Sequence, residues 1–413
     1  MLKTIICFTV IIISTTAWAH SDLLTLDEAV SRVLGANQDI RAAHYTVEAA
    51  KARIPQAKAL EDPQIGVEFY NVPINTGDVT KADDIDYKIE QKIPFPGKRH
   101  ILGKAARFDA EAVAAKSGGR IQDVLLDLKR TYYDAYQIER SLEVNRENQG
   151  LLRQFLGSAE TAYASGKTSA DAPLKAQVEL SKLKNEEILL RQGHQTHMAH
   201  LKALLNDPSH EDGDLRLPAR LNWPRLRASL MEIESMALEA RPELTELRAM
   251  EKRDSAKVTS AKQGLIPDVT IGFAYKQKPV GQDVWAASTM INLPIFWGKN
   301  RGEIQEAKAS LKATQAEHQS MEIHTHHEIE QAYSGVVASQ KIVASYQREL
   351  LPQARTTLEA AREAYASGHV DFLTLIDAAR TYKDLQMSFY ENQARLGMTF
   401  AELERLVGRE LEN

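Results

Sequence analysis

Cysteine is almost absent: the one residue of this type among 413 is Cys7, inside an apolar run at the N-terminus. Once that run is removed as a leader, no thiol remains, which excludes disulfides and thiolate metal sites from the mature chain. After the leader, no stretch reaches the roughly 18 uninterrupted apolar residues of a membrane-crossing helix. Charge of one sign is lacking too, since 51 Lys and Arg stand against 56 Asp and Glu for a net of -5. That balance gives no reason to expect nucleic acid or a strongly anionic surface as partner. Catalytic signatures are missing as well. There is no Gly-x-Ser-x-Gly, no His-Glu-x-x-His and no glycine-rich phosphate loop, so an enzyme reading has no residues to stand on, and no cofactor is expected.

What is present begins with Lys3, the apolar run Ile5 to Ile13 and the small-residue site Ala17-Trp18-Ala19. Together they read as a secretory signal over residues 1–19, cleaved before His20. An exported chain without a helical span can still enter a membrane, but only as a closed β-barrel.

The rest of the chain is a duplication. Ala162-Tyr163-Ala164-Ser165-Gly166 returns as Ala364-Tyr365-Ala366-Ser367-Gly368, about 200 residues on. Asp62-Pro63-Gln64-Ile65-Gly66-Val67-Glu68-Phe69 answers Ile266-Pro267-Asp268-Val269-Thr270-Ile271-Gly272-Phe273, and Pro94-Phe95-Pro96-Gly97-Lys98-Arg99 answers Pro294-Ile295-Phe296-Trp297-Gly298-Lys299-Asn300-Arg301. The period is too long for a solenoid unit. Two halves are therefore expected, 20–215 and 216–413, each built as helix, two strands and helical hairpin.

Period-two alternation marks four strands, at about 64–71, 84–93, 268–276 and 284–293. Taken alone, they could be two soluble hairpins packed on helices. If they cross a membrane, four cannot close, because single-chain outer-membrane barrels begin at about eight strands and open edges are not tolerated in lipid. Several chains must then build one barrel.

From Lys98 to about Ser165 there is no proline, and apolar or small residues recur every three or four positions, as in a coiled-coil seam. Hairpins are expected over about 98–205 and 301–407, turning at Gly166 and Gly368, where glycine can take the left-handed conformation of a helix end. Single helices from Leu26 to about Leu60 and from Leu226 to about Leu265 are expected before the strands. Pro352 should interrupt the second outgoing helix near Leu350. The fold class is thus mainly α with a small β part: long coiled-coil helices forming an α-barrel, and four strands contributed to an oligomeric transmembrane β-barrel.

Leu24-Thr25-Leu26-Asp27-Glu28-Ala29 with Asn37, the Pro-Phe-Pro-Gly-Lys-Arg strand exit, Tyr132-Tyr133-Asp134-Ala135 and both Tyr-Ala-Ser-Gly tips resemble the TolC-like outer-membrane efflux proteins. The Pro-Gly-Lys-Arg form is similar to the heavy-metal (CzcC- and CusC-like) branch. The resemblance implies a homotrimer whose twelve strands form one barrel in outer-membrane lipid and whose helices continue as a periplasmic tunnel. It also implies partners, a periplasmic adaptor and an inner-membrane pump, with the chain as passive exit duct for heavy-metal cations, or alternatively for drugs and other small molecules. A periplasmic adaptor or structural coiled-coil protein is the reading of another class; an adaptor would need a single hairpin and glycine-rich β-domains. Many relatives in the metal branch carry a lipid-modified N-terminal cysteine, which is absent here. By the same resemblance, Gly166, Lys167, Gly368 and His369 are hairpin-tip residues at which an adaptor docks, and Asp371 is a candidate gate whose competing role is to cap the returning helix.

Imidazoles at His194, His197 and His200, and at His318, His324, His326 and His327 with Met321, offer zinc or copper ligands at helical spacing. His194, His197, His324 and His327 are the candidate metal ligands. The competing reading is solvated or packed polar positions, since no Glu-x-x-His pairs accompany them and a permeation path should not bind tightly.

Overall fold

The computed structural model describes residues 23–75, 77–166, 169–207, 215–278 and 281–411. The leader and Lys167 lie outside the described residues. Each half opens with two helices rather than the single one expected: α1 (Leu26–Ala36) and α2 (Gln38–Lys58), then α5 (Leu230–Ala240) and α6 (Pro242–Gln263). In the first half the break falls at Asn37. Its side-chain oxygen accepts from the N–H groups of Asp39 and Ile40, which caps α2, while its amide donates to the Leu204 carbonyl at 2.9 Å. In the second half the break is at Arg241, because Pro242 disfavours helical geometry in the residue before it and starts α6 at the first turn. Buried Arg241 then donates to Thr325 Oγ1 at 3.0 Å and pairs with Glu243 and Glu328.

The strands are β1 (Gln64–Tyr70), β2 (Asp84–Ile93), β3 (Val269–Gln277) and β4 (Val284–Ile291). β4 stops at Ile291, short of the expected 293 and three residues before Pro294, which has no N–H for a ladder. All four join one antiparallel sheet in the order β1-β2-β3-β4, so the two halves meet at β2 and β3.

From the sheet run α3 (Lys98–Ala164) and α7 (Trp297–Ser345), and the chain returns through α4 (Asp171–Leu204) and α9 (Phe372–Val407). The 67 residues of α3 span about 100 Å at 1.5 Å per residue. The expected interruption at Pro352 takes the form of a π-helical turn, Tyr346–Leu350, ahead of α8 (Leu351–Ala366). The proline ring clashes with the carbonyl four residues back, and the wider turn accommodates it.

Such a rod cannot hold one core. Its apolar residues gather in three clusters: one around Leu128, Tyr132, Leu201 and the N-terminal segment, one near the tips around Phe155, Ala176, Leu375 and Ile376, and one around Ile233, Ile329, Val336 and Leu403. The linker between halves belongs to the first, with Leu217 buried and Trp223 stacked on Tyr133.

Candidate functional site: the open sheet and the hairpin tips

Alternation gives the sheet two chemically different faces. Cross-strand register lines up Val67, Tyr87, Tyr275 and Trp285 in one row, Ile65, Ile89, Phe273 and Ala287 in the next, and Ile93, Val269 and Ile291 in a third. All lie on the same side, and they are open to the surroundings: Ile65 is 80% exposed and Trp285 69%. Apolar side chains in that number do not face water without cost, at about 25 cal/mol per Å². The opposite face is polar. There Lys88 pairs with Glu68 at 2.5 Å, Lys276 lies between Asp84 and Asp86, and its ammonium stands 4.5 Å over the Tyr70 ring. One apolar and one polar face is the pattern of a barrel with lipid outside and water inside.

Aromatics bracket the apolar face. Tyr87, Tyr275 and Trp285 cluster toward the hairpin loops, while exposed Phe95, Phe296 and Trp297 mark the end where the chain leaves for the helices. The edges of the sheet, β1 and β4, each have a neighbour on one side only within the chain. An edge with an apolar face beside it is a template for another strand.

The strand exit that marked the resemblance has a mechanical role. Gly97 takes φ +97, a conformation glycine tolerates, and so turns Lys98 across to the other half. There its ammonium reaches Asp268 Oδ1 and the Ile266 carbonyl, each at 2.6 Å, while the same carboxylate accepts from the Phe95 N–H at 3.0 Å. Arg99 donates to the Lys58 carbonyl at 2.6 Å. The motif clasps both halves where sheet becomes helix. Sequence reading took these residues as a family signature and missed the clasp, because Asp268 is remote in sequence.

At the far end the hairpins turn through Gly166 at φ +69 and Gly368 at φ +77. In the second tip, His369 N–H reaches the Ala364 carbonyl and Gly368 N–H that of Tyr365, the paired bonds of a Schellman ending. Asp371 then caps α9, accepting from the Thr374 N–H at 2.9 Å and its hydroxyl at 2.7 Å. Those bonds, the hydroxyl's foremost, hold its carboxyl below the ordinary value of 3.8. In the first tip Asp171 instead stands in the first turn of α4, bonded to Ser169 and paired with Lys175 at 2.8 Å. Behind the tips, Glu179 on α4 pairs with Arg380 on α9 at 2.7 Å and Glu186 with Lys383 at 3.0 Å.

The cap has a pH signature. Because the folded carboxyl is lowered, its stabilisation is complete above the unfolded value and is lost as pH falls through the folded one, below 3.8. Asp371→Ala is expected to speed amide exchange at Thr374 and Leu375 near neutral pH, and to leave the exchange of α3 unchanged. Equal protection in both proteins would mean the cap contributes nothing.

The histidines do not converge. His200 lies 3.1 Å from Asp127, and His197 stands near Asp134, whose carboxyl is raised mainly by burial. His318 bonds to Glu251 at 2.8 Å and His326 lies 3.6 Å from Glu234. His194 lines a crevice with Arg191 and Arg216, and His324 and His327 are exposed on α7. Among the described residues no three His, Cys, Asp or Glu side chains gather as metal ligands.

A model of the outer membrane efflux protein family matches residues 29–207 and 234–409. The chain belongs to the outer membrane efflux protein family. Its members are channels, not enzymes. This efflux protein is 24% identical to the probable outer membrane lipoprotein SilC of Salmonella typhimurium, over 91% of this chain and 83% of that one. It is 21% identical to the cobalt-zinc-cadmium resistance protein CzcC of Cupriavidus metallidurans, over 94% and 90%. The pyoverdine export outer membrane protein OpmQ of Pseudomonas putida is 22% identical, over 91% and 83%. The solved structure of CusC superposes with a TM-score of 0.79 at 18% identity, covering 93% of this chain and 92% of that one. The fold is therefore that of the TolC-like channels: a mostly helical chain that contributes four strands to a barrel.

Proposed function

We propose that this efflux protein is the exit duct of a tripartite system, a homotrimer that passes solutes passively from a periplasmic adaptor and an inner-membrane pump to the exterior. The observation that carries the reading is the open sheet. It has one lipid-suited face and two free edges, so it needs other copies to close. Three copies supply twelve strands, within the range of outer-membrane barrels, and their long helices continue the wall as a tunnel. The leader over residues 1–19 would deliver the chain across the inner membrane.

The two tips, Gly166 with Lys167 and Gly368 with His369, are the proposed adaptor contacts. Asp371 serves as cap and, repeated around a threefold axis, as an acidic gate. Like charges brought together there would attract cations and push one another's pKa up, opposite to the lowering within the single chain. Heavy-metal cations are the proposed cargo, supported by the likeness to CzcC; the likeness to the pyoverdine export protein OpmQ supports another small-molecule cargo instead.

In a membrane fractionation the protein is expected in the outer membrane as an SDS-resistant trimer that heat dissociates. Recovery as a soluble periplasmic monomer would overturn the duct. Cargo is read separately: a deletion strain should lose tolerance to zinc, cadmium or copper salts, and unchanged tolerance to all three would remove the metal assignment while leaving the duct intact.

A further inference from the structure

The mild net charge of -5 conceals a basic band at one level of the rod. Residues 98–108, at the start of α3, include four Lys or Arg and no Asp or Glu, and residues 51–58, at the end of α2, include three and none. The helix ends that carry these charges lie side by side. The Lys58 stem runs along Gly103, Gln263 of α6 lies beside Gly97, and Glu303 of α7 lies beside Gly264. The basic ends of α2 and α3 therefore lie together at the base of the sheet, past exposed Phe95, with the end of α6 and the start of α7 beside them past exposed Phe296 and Trp297.

On the duct reading proposed above, the band faces outward. Near the middle of α3, Leu125 and Tyr132 pack against the N-terminal segment, which forms a second layer on that side. A second layer on a conducting tunnel stands outside it. Contacts of α3 with α2 repeat at Gly103 and Ser117, two heptads apart, so the helix keeps its faces in register along this stretch. Four heptads before Tyr132 on that outer face comes Lys104. In α7, Val336 and Ile329 pack on the second-layer helix α5, and the same heptad step leads up to Lys308 and Arg301. Lys104 and Lys252 converge from α3 and α6 on Phe108, each 5.9 Å from the ring. Among the described residues no carboxylate pairs with Lys104, Arg301 or Lys308, and all three are exposed.

We infer that this collar binds the phosphate headgroups of anionic phospholipid in the leaflet on the helix side of the barrel, which rests on the membrane reading above. The spacing fits. Arg301 and Lys104 lie about 6 and 9 Å along their helices from the first helical residue, and headgroups occupy roughly 5–7 Å beyond the hydrocarbon; Lys308, about 16 Å along, lies past that layer, so Arg301 and Lys104 make the contact. Long cationic side chains reach into that layer while their stems lie along apolar surface. Unpaired cations beside an aromatic girdle attract a negative headgroup by charge and hold it next to the girdle.

The test uses the full-length protein in phosphatidylcholine vesicles, with spin-labelled phosphatidylglycerol or phosphatidylcholine as probe and motional restriction of the label as readout. The wild type is expected to select phosphatidylglycerol roughly five-fold at low salt, with the preference shrinking as salt screens it. In the variant Lys104→Glu/Arg301→Glu the preference is expected to vanish while total restricted lipid is unchanged. No preference in the wild type, or a preference that survives in the variant, overturns the collar alone. A protein that restricts neither label has no lipid-facing barrel, and then the membrane reading itself fails.

Discussion

Gly397→Leu is expected to lower the stability of the mid-section by about 3 kcal/mol, the upper range for overpacked cores. At this point α9 crosses α3 so closely that a Cβ on residue 397 would stand 2.5 Å from Tyr133 Cζ and 2.6 and 2.7 Å from its two Cε atoms. Displacing the ring would break its packing. Tyr133 is buried, stacked on Trp223 with centroids 5.6 Å apart and set edge-on to Tyr132 at 6.1 Å. An opposing term exists, since replacing a helical glycine recovers about 1 kcal/mol of backbone propensity, but the collision exceeds it. Thermal unfolding followed by circular dichroism measures the difference. Adding Tyr133→Ala to Gly397→Leu should return part of the loss, because the two changes share one space. A single variant that melts with the wild type would mean the helices do not cross this closely.

Asp268→Ala is expected to cost on the order of 3 kcal/mol, the lower end for breaking a buried pair. Lys98 and Asp268 keep 15% and 17% of their side-chain surface, so some solvent screening remains and the upper end does not apply. The carboxylate also accepts from the Phe95 N–H. Asp268→Asn keeps an acceptor for that donor and loses the charge, so its loss should be about half. Burial pushes the Asp268 carboxyl up, but the bonds from Lys98 and Phe95 outweigh it and hold the group below 3.8. The folded value being the lower, the clasp is intact above the unfolded value and weakens as pH falls through the folded one. The stability difference between wild type and Asp268→Asn should therefore narrow as pH falls below 3.8. A gap that stays constant through that range would place the stabilisation elsewhere.

Both positions were hard to read in the chain. Gly397 sits in an ordinary amphipathic run, and nothing nearby in sequence announces that Tyr133 will fill the space over it. Asp268 looks like a residue before a strand. Its duplicate register is held by Gln64, so repetition gave no hint of an ion pair. The break at Asn37 was hidden for the opposite reason: the apolar period runs on through it. The carbonyl of Leu204, brought beside it by the returning helix, gives Asn37 a second role besides capping α2.

The chain by itself determined the duplication, the four alternating strands, the two glycine tips and the interruption at Pro352, because each is a short-range pattern: a period of two or of three and four, a residue free to take positive φ, a ring without an N–H. It also determined that four strands cannot close alone. Tertiary structure decided the rest: that the halves join at β2 and β3, that Lys98 clasps Asp268, that Asp371 spends its carboxylate on a helix cap, and that the histidines stay apart. It also brought the basic ends of α2 and α3 side by side. Those outcomes depend on which distant segments come to lie side by side, and local periodicity carries no information about that.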